Sequence, residues 1–208
     1  MHDTELRVLL AYFIVYFLLA FVWRPFAVYR RTGRNPLRLS AGDDAYGYVT
    51  RTYTGVAACV ALVVFTICLS ENANARLGGW TAFATSWASL AGWLLLAVAL
   101  PWLVVAQTQM GVSWRIGIDD GHRTELVRRG IFSVSRNPIY LATRVILFGL
   151  FLIFPAAATL AVFVAMEILL QVQVRLEEAY LARLHGASYA AYQATVRRWL
   201  GQLGSVRS

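Results

Sequence analysis

IYLATRVILFGLFLIFPAAATLAVFVAMEILLQVQV, residues 139–174, consists of two apolar runs with a single proline, Pro155, between them. Each run, Ile139 to Phe154 and Ala156 to Val174, approaches the roughly 20 residues an α-helix needs to cross a hydrocarbon core about 30 Å thick. Proline ends a helix, so this short connection predicts a helical hairpin whose tip reaches the far face of a membrane.

Toward the N-terminus the same reading finds three further spans, Leu6 to Val28, Tyr53 to Leu69 and Trp87 to Ala106. Pro101 falls inside the third and is expected to kink or break it. The fold class is therefore all-α, a polytopic membrane bundle of about five helices in one domain over 1–208, with three spans in 1–106 and the hairpin in 107–208. Composition agrees: 59% of the residues are hydrophobic and mean hydropathy is +0.57, against an apolar share of about half in soluble domains. Acidic Asp3 and Glu5 precede the first run and no A-x-A-like site follows it, so it reads as a retained helix rather than a cleaved signal.

The formal charge is +8, and the 19 basic residues are all arginine. Arg24, Arg30, Arg31, Arg34, Arg38 and Arg51 crowd the first gap between spans, against only Asp43 and Asp44. Arg115, Arg123, Arg128, Arg129 and Arg136 crowd the stretch before the hairpin. Arginine confined to such gaps follows the positive-inside rule and excludes a nucleic-acid partner. The expected orientation has the N-terminus outside and the C-terminus in the cytoplasm, in a bacterial inner membrane. Cys59 and Cys68 share one apolar run without CxxC spacing, and His2, His122 and His185 are scattered, so no disulfide framework and no metal site is expected.

Beyond the hairpin, Tyr189, Tyr192, Val196 and Trp199 recur at helical spacing after the breaker Gly186. They predict an amphipathic cytoplasmic helix starting near Ser188 and lying against the protein or the membrane surface.

Three features carry chemistry. At the start of the hairpin, Asn137 and Pro138 form a turn with proline at the first helical position, where its missing N–H costs nothing. The free amides of that helix start suit a carboxylate or a hydroxyl-rich ligand; they also suit a plain helix cap. At the end of the hairpin, Arg175 and Glu178 stand three apart on one face and can pair with each other or with a ligand, or form a solvated helix end. Within the hairpin, Arg144 and Glu167 lie at membrane depth, where ionisable groups usually face protein or water and mark function. Arg144 can also snorkel to the interface, and Glu167 can also be a protonated structural acid.

QMGVSWRIGID at 109–119, LVRRGIFSVSRNPIY at 126–140 and RLEEAYLARLHGASYAAYQATVRRW at 175–199 together resemble the isoprenylcysteine carboxyl methyltransferase and phospholipid methyltransferase superfamily over roughly the last hundred residues. The resemblance implies a membrane enzyme that encloses S-adenosylmethionine between its last helices and its tail, with a side opening for a lipophilic substrate from the bilayer, and it makes 107–208 the methyltransferase core. Carried over by position, Leu126, Val127, Gly130 and Phe132 would line the cofactor, beside Arg136, Asn137, Pro138 and Tyr140. Glu177 and Glu178 would supply carboxylates, and Tyr189 and Tyr192 would pack the tail over the pocket. Arg144, Arg175 and Glu178 are the expected catalytic residues. Asn137 stands where histidine is common in that family, Ala142 where glycine is common, and Thr124 where many members have histidine. The rival enzyme class is an NADPH-dependent membrane lipid or sterol reductase, whose last helices share an Asn-Pro-x-Tyr-like turn; the non-enzymatic rival is a membrane scaffold or small transporter.

Overall fold

The structure is a computed structural model that describes residues 3–33, 35–36, 44–114 and 125–203. His2, Arg34, Arg38, Asp43, Arg115, His122, Arg123 and Thr124 lie outside the described residues, as does the 109–119 stretch beyond Trp114.

The described chain is helical throughout, with only two isolated β-bridges. Helix α1 (Asp3–Phe17) runs through a π-helical segment (Leu18–Trp23) into α2 (Arg24–Thr32), making one apolar rod that ends on Gly33 at φ +67°. Helix α3 (Ala45–Leu69) starts eight residues before the apolar run, because Asp44 caps it by accepting from the Gly47 amide at 2.7 Å. A short α4 (Ala73–Leu77) leads to α5 (Ser86–Gln109), capped by Thr85. Pro101 sits inside α5, which continues on both sides of it; the expected break does not occur.

The hairpin is α6 (Pro138–Ile153) and α7 (Ala157–His185). Its tip is pinned to the α4–α5 connection, where the Trp80 amide donates to Pro155 O at 2.8 Å and the Ala157 amide to Gly78 O at 2.9 Å. Helix α7 runs on past the apolar run to His185, and α8 (Ala187–Thr195) follows directly after Gly186. The helix expected to reach Trp199 stops at Thr195; the chain then turns back, with a bridge between Val196 and Gln202.

The α1–α2 rod, α3, α5 and α7 are each long and apolar enough to cross a membrane. At 16 residues, α6 is about 24 Å long, short of a hydrocarbon core of about 30 Å. Its partner is α5, the most extensive helix pair in the bundle, and Gly92 and Gly149 let the two backbones approach closely.

Candidate functional site

The loop before α6 is shaped by one glycine. Gly130 adopts φ +63°, and a Cβ there would fall 2.3 Å from Gln109 Oε1. That oxygen is already committed, accepting from the Ile131 amide at 2.7 Å and tying the end of α5 to the loop. Gly130→Ala therefore pays left-handed strain and disrupts this bond, a loss of about 2 kcal/mol. Gly33→Ala, at the same φ with nothing within 4 Å, pays the strain alone; thermal unfolding in detergent of the two variants measures the difference, and equal losses would contradict the role given to Gln109.

After the loop, the chain enters α6 through Asn137, whose amide donates to Ser135 Oγ at 3.2 Å. The Asn137 Nδ2 donates to Glu178 Oε1 and to Arg198 O, both at 3.2 Å. Glu178, 6% exposed, also receives Arg136 Nη2 at 3.2 Å and Arg198 Nη2 at 2.8 Å. The turn that opens α6 and the acidic residue of α7 are thus joined side chain to side chain.

The tail closes over this junction as a strap. The Arg136 amide donates to Arg197 O at 3.1 Å, the Gly201 amide to Val134 O at 2.7 Å, and Tyr192 Oη to Phe132 O at 2.6 Å. Tyr189, Tyr192 and Val196 form a buried cluster with Leu126 and Leu181 against them. Burial pushes the phenols of Tyr189 and Tyr192 above their ordinary value, so both remain neutral donors. Hydrogen bonding to Glu178 raises the pKa of Arg198.

Beneath the strap lies a cavity of about 170 Å³. Leu126, Val127, Phe132, Arg136, Asn137, Pro138, Tyr140 and Glu177 are all among the residues that line it. Glu177 Oε1 accepts from Tyr140 Oη and from Gln173 Nε2, the latter at 2.6 Å. Gly130, Glu178 and Tyr189 stand behind the lining and support it.

Arg175 and Arg144 do not line the cavity. Of the alternatives open to Arg175 and Glu178, pairing with each other does not occur: Arg175 Nη1 donates to Gln171 O at 2.7 Å within its own helix, while Glu178 is taken by Arg136 and Arg198. Glu178 points inward at the strap and Arg175 stays exposed, so spacing on one helix face does not decide the partner. Arg144 instead pairs with Glu167, Nε to Oε2 at 2.5 Å.

Several contributors carried no sequence signal. Tyr16, Ala20 and Phe21 enter from the α1 rod, the last two on its π-segment, and Tyr53 enters from α3. π-Segments inside helices recur at functional sites; LLAFVW holds no glycine or proline to announce one. Gln107 reaches the cavity from α5, 3% exposed, and its Oε1 has no hydrogen-bond partner among the described residues; neither has the buried Arg136 Nε. Arg198 was equally silent, one arginine among many.

The signature turn, both glutamates and the cavity-lining residues from α5 to Leu181 fall within a segment, residues 87–188, that matches the family model of phospholipid methyltransferases. No curated protein matches the chain. The matched segment builds α5, the turn, the hairpin and the start of α8, and the family it matches lies within the isoprenylcysteine and phospholipid methyltransferase superfamily.

Proposed function

We propose that the cavity binds S-adenosylmethionine and that the protein transfers its methyl group to a lipid-like or prenylated acceptor, a carboxylate, thiol or amine, at the cytoplasmic membrane face. The observation that carries the reading is the composition of a single cavity, whose lining holds apolar Leu126, Val127 and Phe132 together with polar Arg136, Asn137 and Glu177. The donor molecule is a zwitterion with an aromatic base and a cationic sulfonium. The apolar residues suit the base. Arg136 and Gln107 both line the cavity, and among the described residues Arg136 Nε has no acceptor and Gln107 Oε1 no donor; the guanidinium suits the carboxylate and the side-chain amide suits an amino or hydroxyl group.

When bound, the cofactor supplies an electrophilic methyl carbon whose bond to sulfur breaks toward sulfur as the acceptor's lone pair attacks. The protein's part is alignment and the exclusion of water. Tyr192 lines the cavity from the tail, backed by the buried Tyr189 and Val196. Glu177, held by Tyr140 and Gln173, is a lining carboxylate that would offset the positive charge of the bound sulfonium. None of these groups needs to become a covalent nucleophile.

Thermal unfolding of the detergent-purified chain tests the reading. S-Adenosylhomocysteine at about a hundred times its Kd should stabilise the protein by about 2.7 kcal/mol, with no shift from NADPH. Stabilisation by NADPH alone would support the reductase instead, and no shift from either would favour a non-enzymatic protein. Glu177→Gln should weaken the stabilisation by S-adenosylmethionine more than that by S-adenosylhomocysteine, which carries no sulfonium charge, while leaving the ligand-free transition within about 1 kcal/mol. A lipid extract incubated with radiolabelled methyl donor then identifies the acceptor.

A further inference from the structure

Arg144 and Glu167 form an ion pair that the cavity does not use. By helix rise Arg144 lies about 9 Å along α6 from Pro138, and Glu167 about 16 Å along α7 from Glu178. Both side chains are about a quarter exposed, 27% and 25%. The pair continues as a polar ladder along α7: Gln171 Nε2 donates to Glu167 Oε1 at 2.7 Å, and Arg175 Nη1 donates to Gln171 Oε1 at 2.8 Å. On the other side Trp199 of the strap lies under the guanidinium, its ring centroid 4.1 Å from Arg144 Cζ.

The ion pair engages Arg144 through Nε, and the indole covers one face. Among the described residues the Nη groups of Arg144 have no acceptor. A lock between the two hairpin helices would need only the Nε contact. Hydrogen-bond donors left open on a charged group at this depth are costly unless the bilayer itself supplies an acceptor. Toward the membrane interior, the ladder gives way to phenylalanine: Phe148 packs on Phe163 at 5.6 Å and on Phe151 at 6.4 Å, and Phe148 is 39% exposed. Along one outward strip, the polarity therefore runs from arginine through an ion pair to aromatic hydrocarbon, with two guanidiniums, Arg144 and Arg175, against the one carboxylate of Glu167.

We propose that this strip is a binding site for a membrane phospholipid, separate from the cavity, with the lipid phosphate on the Nη groups of Arg144 and on Arg175 and the acyl chains along Phe148, Phe151 and Phe163. The excess positive charge selects the phosphate, and the graded strip sets the depth.

The full chain, purified in detergent and stripped of lipid, is titrated separately with dioleoyl phosphatidylglycerol, dioleoylglycerol and inorganic phosphate, and bound adducts are read by native mass spectrometry. The wild type should hold the phospholipid about tenfold more tightly than the phosphate-free diacylglycerol, as charge-assisted hydrogen bonds to one phosphate imply. Arg144→Leu with Glu167→Leu, which removes both charges together and leaves neither unpaired, should erase the preference. Arg175→Gln, at an exposed position whose loss leaves the fold intact, should lower it by about threefold and decides the matter should the double variant fail to fold. Equal retention of the two lipids by the wild type, an unchanged preference in Arg175→Gln and in a folded double variant, or displacement of the lipid by inorganic phosphate would each overturn the site. Cofactor binding is not read in this experiment, so its result stands apart from the proposed methyl transfer.

Discussion

Glu178→Ala is expected to lower the stability of the protein by about 3–5 kcal/mol, the range for removing one partner of a buried ion pair, and to lower Tm by about 10 °C for a chain of this size. The loss comes from what is left behind. Arg136, whose side chain is 10% exposed, loses the acceptor of its Nη2, and Asn137 loses one of the two acceptors of its Nδ2. Arg198 is 33% exposed and partly screened by water, so its share is the smaller. Glu178→Gln keeps the shape and one acceptor oxygen and should lose roughly half as much. Thermal unfolding in detergent reads both, and a Tm within about 2 °C of wild type for the alanine variant would show that the strap is held by the backbone bonds of 134–136 with 197–201 alone.

The same junction links stability to the proposed chemistry. Arg136 is shared: Nη2 holds Glu178 and Nε, with no partner of its own, belongs to a side chain that lines the cavity. Freeing Arg136 from Glu178 lets the guanidinium turn toward Glu177 or solvent, so Glu178→Ala should abolish the S-adenosylhomocysteine shift even at temperatures where the variant is folded. Glu177→Gln differs in kind. It changes a cavity wall and leaves the Glu178 junction standing, so it should separate binding from stability where Glu178→Ala moves both. Two neighbouring glutamates on α7 thus have different tasks, set by a rotation of about 100° between them on the helix.

What the sequence disclosed follows from the kind of signal each feature leaves. The hairpin was legible because Pro155 interrupts an otherwise continuous apolar run, and the break before α8 because Gly186 takes φ +50°, a conformation glycine adopts readily. The length of α7 was not legible. Hydropathy falls at Arg175, but the backbone continues to His185, because the polar residues are satisfied by the strap and by their own helix; loss of apolar character marks the edge of the hydrocarbon and not the end of a helix. The tail misled for the opposite reason. Trp199 keeps helical register with Tyr192 and Val196, yet the Arg197 and Gly201 backbones pair with each other and with the loop before α6, and such long-range pairing leaves no local pattern. Glu177 was marked by its place in the Glu-Glu pair. Tyr16, Phe21 and Tyr53 were not marked at all, since an aromatic residue in an apolar span reads as packing wherever it points.

The second large effect concerns how closely α5 and α6 approach. Gly92→Ala is expected to destabilise the protein by about 2–3 kcal/mol, in the overpacking range, although replacing glycine by alanine inside a helix ordinarily stabilises by about 0.5–1 kcal/mol. The added Cβ would lie 2.6 Å from Gly149 O, 2.7 Å from Ile153 Cγ1 and 3.1 Å from Ile153 N. Cγ1 of a β-branched isoleucine is held by a stiff χ1, and a carbonyl oxygen in the facing helix can move only with its backbone. Helix α6 must therefore shift, and it carries Asn137 and Pro138 at its first turn, where Trp102 Nε1 of α5 donates to Pro138 O at 3.0 Å. A displacement made to relieve the Gly92 contact is felt at the cavity, so affinity for S-adenosylhomocysteine should fall together with stability. Gly149→Ala should be milder, because the first atom its Cβ meets is Leu96 Cδ1, the end of a flexible side chain. Gly55→Ala in α3, where a Cβ has nothing within 4 Å, supplies the reference and should raise Tm slightly. If Gly92→Ala and Gly55→Ala moved Tm in the same direction by the same amount, the close contact of α5 and α6 would not be what positions the turn.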